Sequence, residues 1–244
     1  MARFRVLSKN SVKLLCMLTM FLNHVSYWFL VPGTLLGDFC TYIGWVTAPC
    51  MCWFLVQGFH YTRDRRRYGV RLLVFAILSQ WPYMAYFGPP IHMNMIVTLF
   101  LCYLGLCVRH SRLDAPMRAF LQILLFLMTI ACDWPMMAFV MTVLFDRSRS
   151  KGVMDDGHGC HDWSAFVLSL CLVAVYNLPD PGAPAWQMLF GVFGPAIAMF
   201  LIMVCLDTSK RPAGTKFDFV SKYFFYVFYP LHLTLLYFIH AGIV

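Results

Sequence analysis

The chain contains no glutamate. All 11 of its acidic residues are aspartates, and charged residues of both signs make up only 12% of 244 positions. A soluble globular domain carries about twice that share of charge and is about half apolar. Here 61% of residues are hydrophobic and the mean hydropathy is +0.69. An ordinary soluble enzyme is excluded. The 10 cysteines include no pair of Cys-x-x-Cys elements, so a zinc ribbon has no support. Most of them (Cys16, Cys50, Cys52, Cys102, Cys107, Cys171, Cys205) lie in apolar runs, where cysteine acts as a small hydrophobe. The absence of an internal repeat removes the basis for an inverted-repeat transporter plan. No small-x-small cleavage site follows MARFR, so the first apolar run is read as a retained helix rather than a signal peptide.

What is present is a series of nine apolar runs: 11–31, 39–60, 69–87, 93–109, 116–132, 134–146, 163–178, 186–206 and 218–240. A membrane-spanning helix needs about 20 such residues. The connections alternate in charge. MARFRVLSKNSVK, TRDRRRYGVR, VRHSRLDAPMR, the start of DRSRSKGVMDDGHGCHD, and DTSKRPAGTK are basic; VPGTLLGD, FGPPIHM, CDWP and NLPDPGAPA carry no lysine or arginine. The alternation predicts a single all-α domain over residues 1–244, a polytopic transmembrane bundle of about nine helices. Its N-terminus is cytoplasmic and its C-terminus outside. Fusing 116–132 with 134–146 puts the later basic loops on the wrong side, so the short sixth run is read as its own helix. The net charge of +8 is accounted for by these orienting loops, and the expected partners are membrane lipids, not nucleic acid.

Polar side chains inside a bilayer are costly and often mark a site. At about 1.5 Å per residue, His24 falls roughly 5 Å, and His232 roughly 3 Å, to the outer side of the middle of their helices. Asn23 adjoins His24, and Lys13 lies about three turns below it. Tyr229 is three residues before His232 and shares its face; Pro230 weakens the backbone ladder between them. Further candidates are Gln57 and His60, Ser79, Gln80 and Tyr83, Asn94 and Thr98, and Asp133 in the CDWP turn. Each also has a plain structural reading as an interhelical hydrogen bond. The run 62–71 holds Arg63, Arg65, Arg66, Arg67 and Arg71. It serves as an orienting anchor or as a phosphate site, guanidinium being suited to phosphate by its planar fork. The stretch 155–162, DDGHGCHD, has metal-ligand types but no familiar spacing, and no metal site is predicted.

From about residue 12 to 238 the chain resembles the TraX family, linked to acyltransferase-3-like membrane enzymes. The resemblance rests on the order and spacing of Lys13-x10-His24, GWVTAPCMCWFLVQGFHYTRDRRRY, LLVFAILSQWPY, NMIVTL, CDW and KYFFYVFYPLHLTLLY. It implies transfer of an acetyl group from cytoplasmic acetyl-CoA to an amine or hydroxyl of an acceptor (peptide, glycan or small molecule) at or beyond a bacterial inner membrane. TraX is associated with acetylation of the pilin N-terminus. Lys13 and His24 match the family's basic-x10-His element, Tyr229 and His232 its terminal Tyr-x-x-His, and Arg63 its basic element after the second helix. Asn23 stands where the family commonly has Asp, Trp45 where it tends to have Arg, and Gln57 where many members are acidic.

These readings converge on one expected site. His24 acts as general base, oriented by Asn23, while His232 and Tyr229 complete the pocket. Lys13 and Arg63, Arg65, Arg66, Arg67 and Arg71 hold the acyl-CoA donor. Two alternatives stay open: a non-enzymatic transporter or channel, and a TraX-like accessory subunit.

Overall fold

The computed structural model describes residues 7–88, 92–149, 163–176, 185–206 and 216–243. The 155–162 stretch and the basic loop before residue 216 lie outside them. Side chains that cannot be solvated leave the backbone one local solution, the helix, which pairs its own amides and carbonyls. Accordingly the described residues form α1 (Lys9–Phe29), α2 (Leu35–Ile43), α3 (Thr47–Tyr61), α4 (Arg65–Phe87), α5 (Met95–Arg109), α6 (Ala115–Met128), α7 (Met137–Ser148), α8 (Trp163–Tyr176), α9 (Ala185–Phe200) and α10 (Lys216–Ile243). A 3₁₀ turn, Gly44–Val46, joins α2 to α3, and a π turn, Leu201–Cys205, extends α9. Two isolated bridges, Leu7 with Leu206 and Met93 with Cys132, are the extended pairings among the described residues.

Each of the nine expected apolar runs carries a helix, α2 and α3 together making the second. Among the described residues three helical stretches are long and apolar enough to cross a membrane: Leu35–Tyr61, Trp186–Cys205 and Tyr223–Ile243. The protein is an integral membrane protein. The separate sixth helix is real. Yet α7 has 12 residues, about 18 Å of rise against a hydrocarbon core of about 30 Å. Helix starts follow side-chain chemistry. Ser8, Thr34, Asp64 and Asn94 each accept a backbone amide of the first turn. α6 begins Ala115-Pro116, where a missing amide costs nothing.

The chain divides into two compact units, residues 1–50 with 148–228 and 242–244, and residues 51–147 with 229–241. In the first, α1 packs on α2 and the 3₁₀ turn, and α9 packs on α2 and α8. The Cys16 carbonyl accepts from both Thr19 Oγ1 (3.1 Å) and Thr47 Oγ1 (2.9 Å), tying α1 to the start of α3. In the second, α5 lies against α4 and α6. Gly69 permits that approach, because a Cβ there would sit 2.6 Å from the Tyr103 ring. Tyr103 in turn donates to the Arg65 carbonyl at 2.7 Å. Outward faces are apolar, as with Leu73, Ile77 and Trp81 on α4 and Phe120, Ile123 and Leu127 on α6.

Asn94 concentrates several of these bonds. Its Oδ1 caps the amides of Ile96 and Val97, and its Nδ2 donates to the Ala76 carbonyl and to Gln80 Oε1. Replacing Asn94 by Ala strips the cap and leaves buried groups unmatched, at a cost of about 1–3 kcal/mol. A lowered melting midpoint of the detergent-solubilised variant is the expected readout.

Candidate functional site

His24 is buried on α1 at 7% exposure. Lys13 is half-buried eleven residues earlier. Eleven residues return to nearly the same face after three turns, about 16 Å along the axis. Asn23 points elsewhere, since adjacent helical positions do not face each other. Its Nδ2 donates to the Thr41 carbonyl at 2.6 Å, and its carbonyl accepts from Ser26 Oγ at 2.7 Å. Its side chain lies on Gly44, where any Cβ would overlap it. Asn23 is thus the clamp between α1 and α2. In the same unit Asp38, 6% exposed, accepts from the Gly33 amide (3.0 Å), Trp186 Nε1 (3.0 Å) and Gln187 Nε2 (2.9 Å). The sequence reading missed this buried carboxylate.

Tyr229 and His232 belong to the second unit, each 3% exposed, with ring centroids 5.8 Å apart and edge-on. The Tyr229 hydroxyl lies in the field of Asp133 and Tyr83, beside the Met95 backbone at the first turn of α5. Gln80, Asn94, Thr98 and Asp133, scattered in sequence, form one hydrogen-bonded network in the same unit. Gln80 Nε2 donates to the His92 carbonyl (2.9 Å), Thr98 Oγ1 donates to the Asp133 carbonyl (2.7 Å), and the Asp133 amide donates to Met93 (2.8 Å). Trp134 (φ 55°) and Met136 (φ 58°) take left-handed conformations that cost energy for side chains of this size. Burial pushes the Asp133 carboxyl up to about 6, against the Trp134 amide and the His92 charge, which favour the anion.

The arginine run opens α4. Arg63, Arg65, Arg66 and Arg67 are exposed, and Arg71 is half-buried. Asp64 caps the helix through the Arg67 amide (2.9 Å) and pairs with Arg67 Nε (3.0 Å). Arg65 stacks on Phe59, 4.2 Å from its centroid, and Arg71 lies 5.2 Å from the Tyr68 ring centroid. Three arginines on the first turn sit at the positive end of the helix dipole, an arrangement an anion relieves. These residues fit a polyphosphate in kind.

A group that the sequence reading did not assemble lies where α3, α5 and α7 end. Asp146, its side chain fully buried, receives His60 Nε2 at 2.7 Å on Oδ1, His110 Nε2 at 3.0 Å on both oxygens, and Arg109 Nε at 2.7 Å on Oδ2. The donor atoms of His60, His110 and Asp146 lie within 4.8 Å of one another. The available signal was a lone carboxylate, Asp146, opening the basic DRSRSK segment.

A family model described as TraX protein matches residues 8–240. The chain is 26% identical over 258 aligned positions to the "Probable fimbrial assembly protein FimC, serogroup H1" of Dichelobacter nodosus, covering 94% of each chain. No solved structure matches it.

The Asp133 shift carries a sign. Its folded-state pKa, about 6, exceeds the ordinary 3.8, so the native state binds the extra proton between these values. Stability falls as pH rises from about 4 to 6 and then levels. Asp133→Asn, which keeps the shape without the charge, is expected to remove that fall. Melting midpoints of both chains across this range are the measurement.

Proposed function

The chain belongs to the TraX family, and on that premise we propose that it is a membrane-embedded acyltransferase moving an acetyl group from cytoplasmic acetyl-CoA to an amine or hydroxyl beyond the membrane. The family match across nearly the whole chain carries this reading. The relative named for fimbrial assembly supports a surface-fibre subunit as acceptor, and with it a bacterial inner membrane as the site of action. The basic loops, facing the cytoplasm, bring the arginines of 62–71 to the donor's phosphates.

A thioester is already activated, so the chain's residues have modest work. His24 accepts the proton of the acceptor amine or hydroxyl as its bond to the acyl carbon forms, and returns it to the departing thiolate as the carbon–sulfur bond breaks. Asn23 acts as a positioning residue: its bond to Thr41 and its seat on Gly44 fix the rotation of α1, and hence the aim of His24. Lys13, on His24's face three turns away, lines the approach of the donor. Tyr229 and His232, which match the family's terminal Tyr-x-x-His element, offer an O–H and an imidazole, groups able to stabilise an oxyanion.

Membranes carrying His24→Ala, incubated with radiolabelled acetyl-CoA and acceptor, are expected to lose about 10²–10⁴-fold in transfer. Full activity at normal expression removes His24 from the mechanism. Wild-type chain that binds no acetyl-CoA points to a transporter or channel; binding without turnover points to an accessory subunit.

A further inference from the structure

We propose that His60, His110 and Asp146 form a binding site for a divalent transition cation of the zinc class. The inference stands on coordination chemistry alone and is independent of the acyl-transfer reading. The two imidazole rings meet edge-on at 89°, with centroids 5.1 Å apart. They therefore do not stack; both direct Nε2 at one carboxylate. Around a tetrahedral ion with bonds of about 2.0–2.2 Å, neighbouring donors stand roughly 3.3 Å apart. The 2.7 and 3.0 Å separations here need to open by only a few tenths of an ångström.

The surroundings are those of a metal ligand set. Arg109 Nε holds Asp146 Oδ2 at 2.7 Å, which orients the carboxylate so that Oδ1 faces both imidazoles. Phe59, fully buried, walls both imidazoles, with centroids 5.2 Å from His60 and 5.5 Å from His110. Asp146 is wholly covered while the His60 and His110 side chains are 19% and 29% exposed, so a cation reaches the carboxylate past the imidazoles. Two imidazoles and one carboxylate suit zinc-like ions and not calcium or magnesium, which prefer all-oxygen shells. Three protein ligands leave one position for water or an anion. The ion joins the ends of α3, α5 and α7 beside the arginine-rich start of α4. The competing occupant is hydrogen alone, the imidazoles simply donating to Asp146.

The test uses the purified full-length chain in detergent, with Zn²⁺ binding followed by equilibrium dialysis and metal analysis. One ion per chain is expected, and binding weakens as the pH falls because protons and metal compete for the same ligand atoms. His110→Ala, which removes the more exposed imidazole, is expected to weaken binding by more than the roughly 10–100-fold that loss of a group merely orienting a ligand costs. His158→Ala/Cys160→Ser/His161→Ala, in the other stretch rich in ligand types, is expected to keep the ion. Co²⁺ in the unaltered chain should absorb in the visible without a thiolate charge-transfer band, which keeps the test decisive if a variant fails to fold. The proposal is overturned by wild-type chain that takes up no ion, by undiminished binding in His110→Ala, by loss of the ion in the loop variant, or by a thiolate band.

Discussion

Taking a polar group out of water without a partner costs several kcal/mol, and a chain this apolar meets that penalty at almost every residue. Backbone groups escape it through the helix, which closes their bonds within each segment. Side chains escape it only by finding one another. Asn94, wholly buried, makes bonds to four groups at once: Gln80 Oε1, the Ala76 carbonyl and the Ile96 and Val97 amides. Asp38 and Asp146 are buried carboxylates that each gather three donor residues. The polar residues are few, and they sit where helices meet.

Seen this way, structural and functional roles separate by what a residue's bonds leave over. The Asn23 side-chain amide donates to the Thr41 carbonyl, tying α1 to α2, and its backbone carbonyl accepts from Ser26 Oγ. Gln80 and Asn94 bind each other and the backbone. Through Asn94, the start of α5 is tied to α4. The strained turn at Trp134 and Met136 follows Asp133, which bonds Met93 and Thr98 at the start of α5. It is held by Met136 donating to Thr129 Oγ1 at 3.1 Å and Met137 donating to the Pro135 carbonyl at 2.6 Å.

Charge is distributed by the same economy. With no glutamate and few aspartates, the arginines of 63–67 face outward with Asp64 as their local acid, and the dipole of α4 adds to their field. Deeper in the second unit, Asp146 matches Arg109 and leaves two imidazoles directed at it. One group suits an anionic ligand at the surface, the other a small cation.

The sequence by itself determined that the chain is helical, roughly where each helix begins and ends, and that 134–146 stands apart from its neighbour. These are local matters, since an i to i−4 bond and an N-cap involve residues a few positions apart. The pairing of Tyr229 with His232 was legible for the same reason. Tertiary structure alone decided that Asn23 clamps Thr41 across Gly44, that Asp38 meets Trp186 and Gln187, and that His60, His110 and Asp146 converge. Those partners stand 18 to 149 residues apart. Helical periodicity carries no information over that distance; only the packing of one helix on another brings them within a bond length.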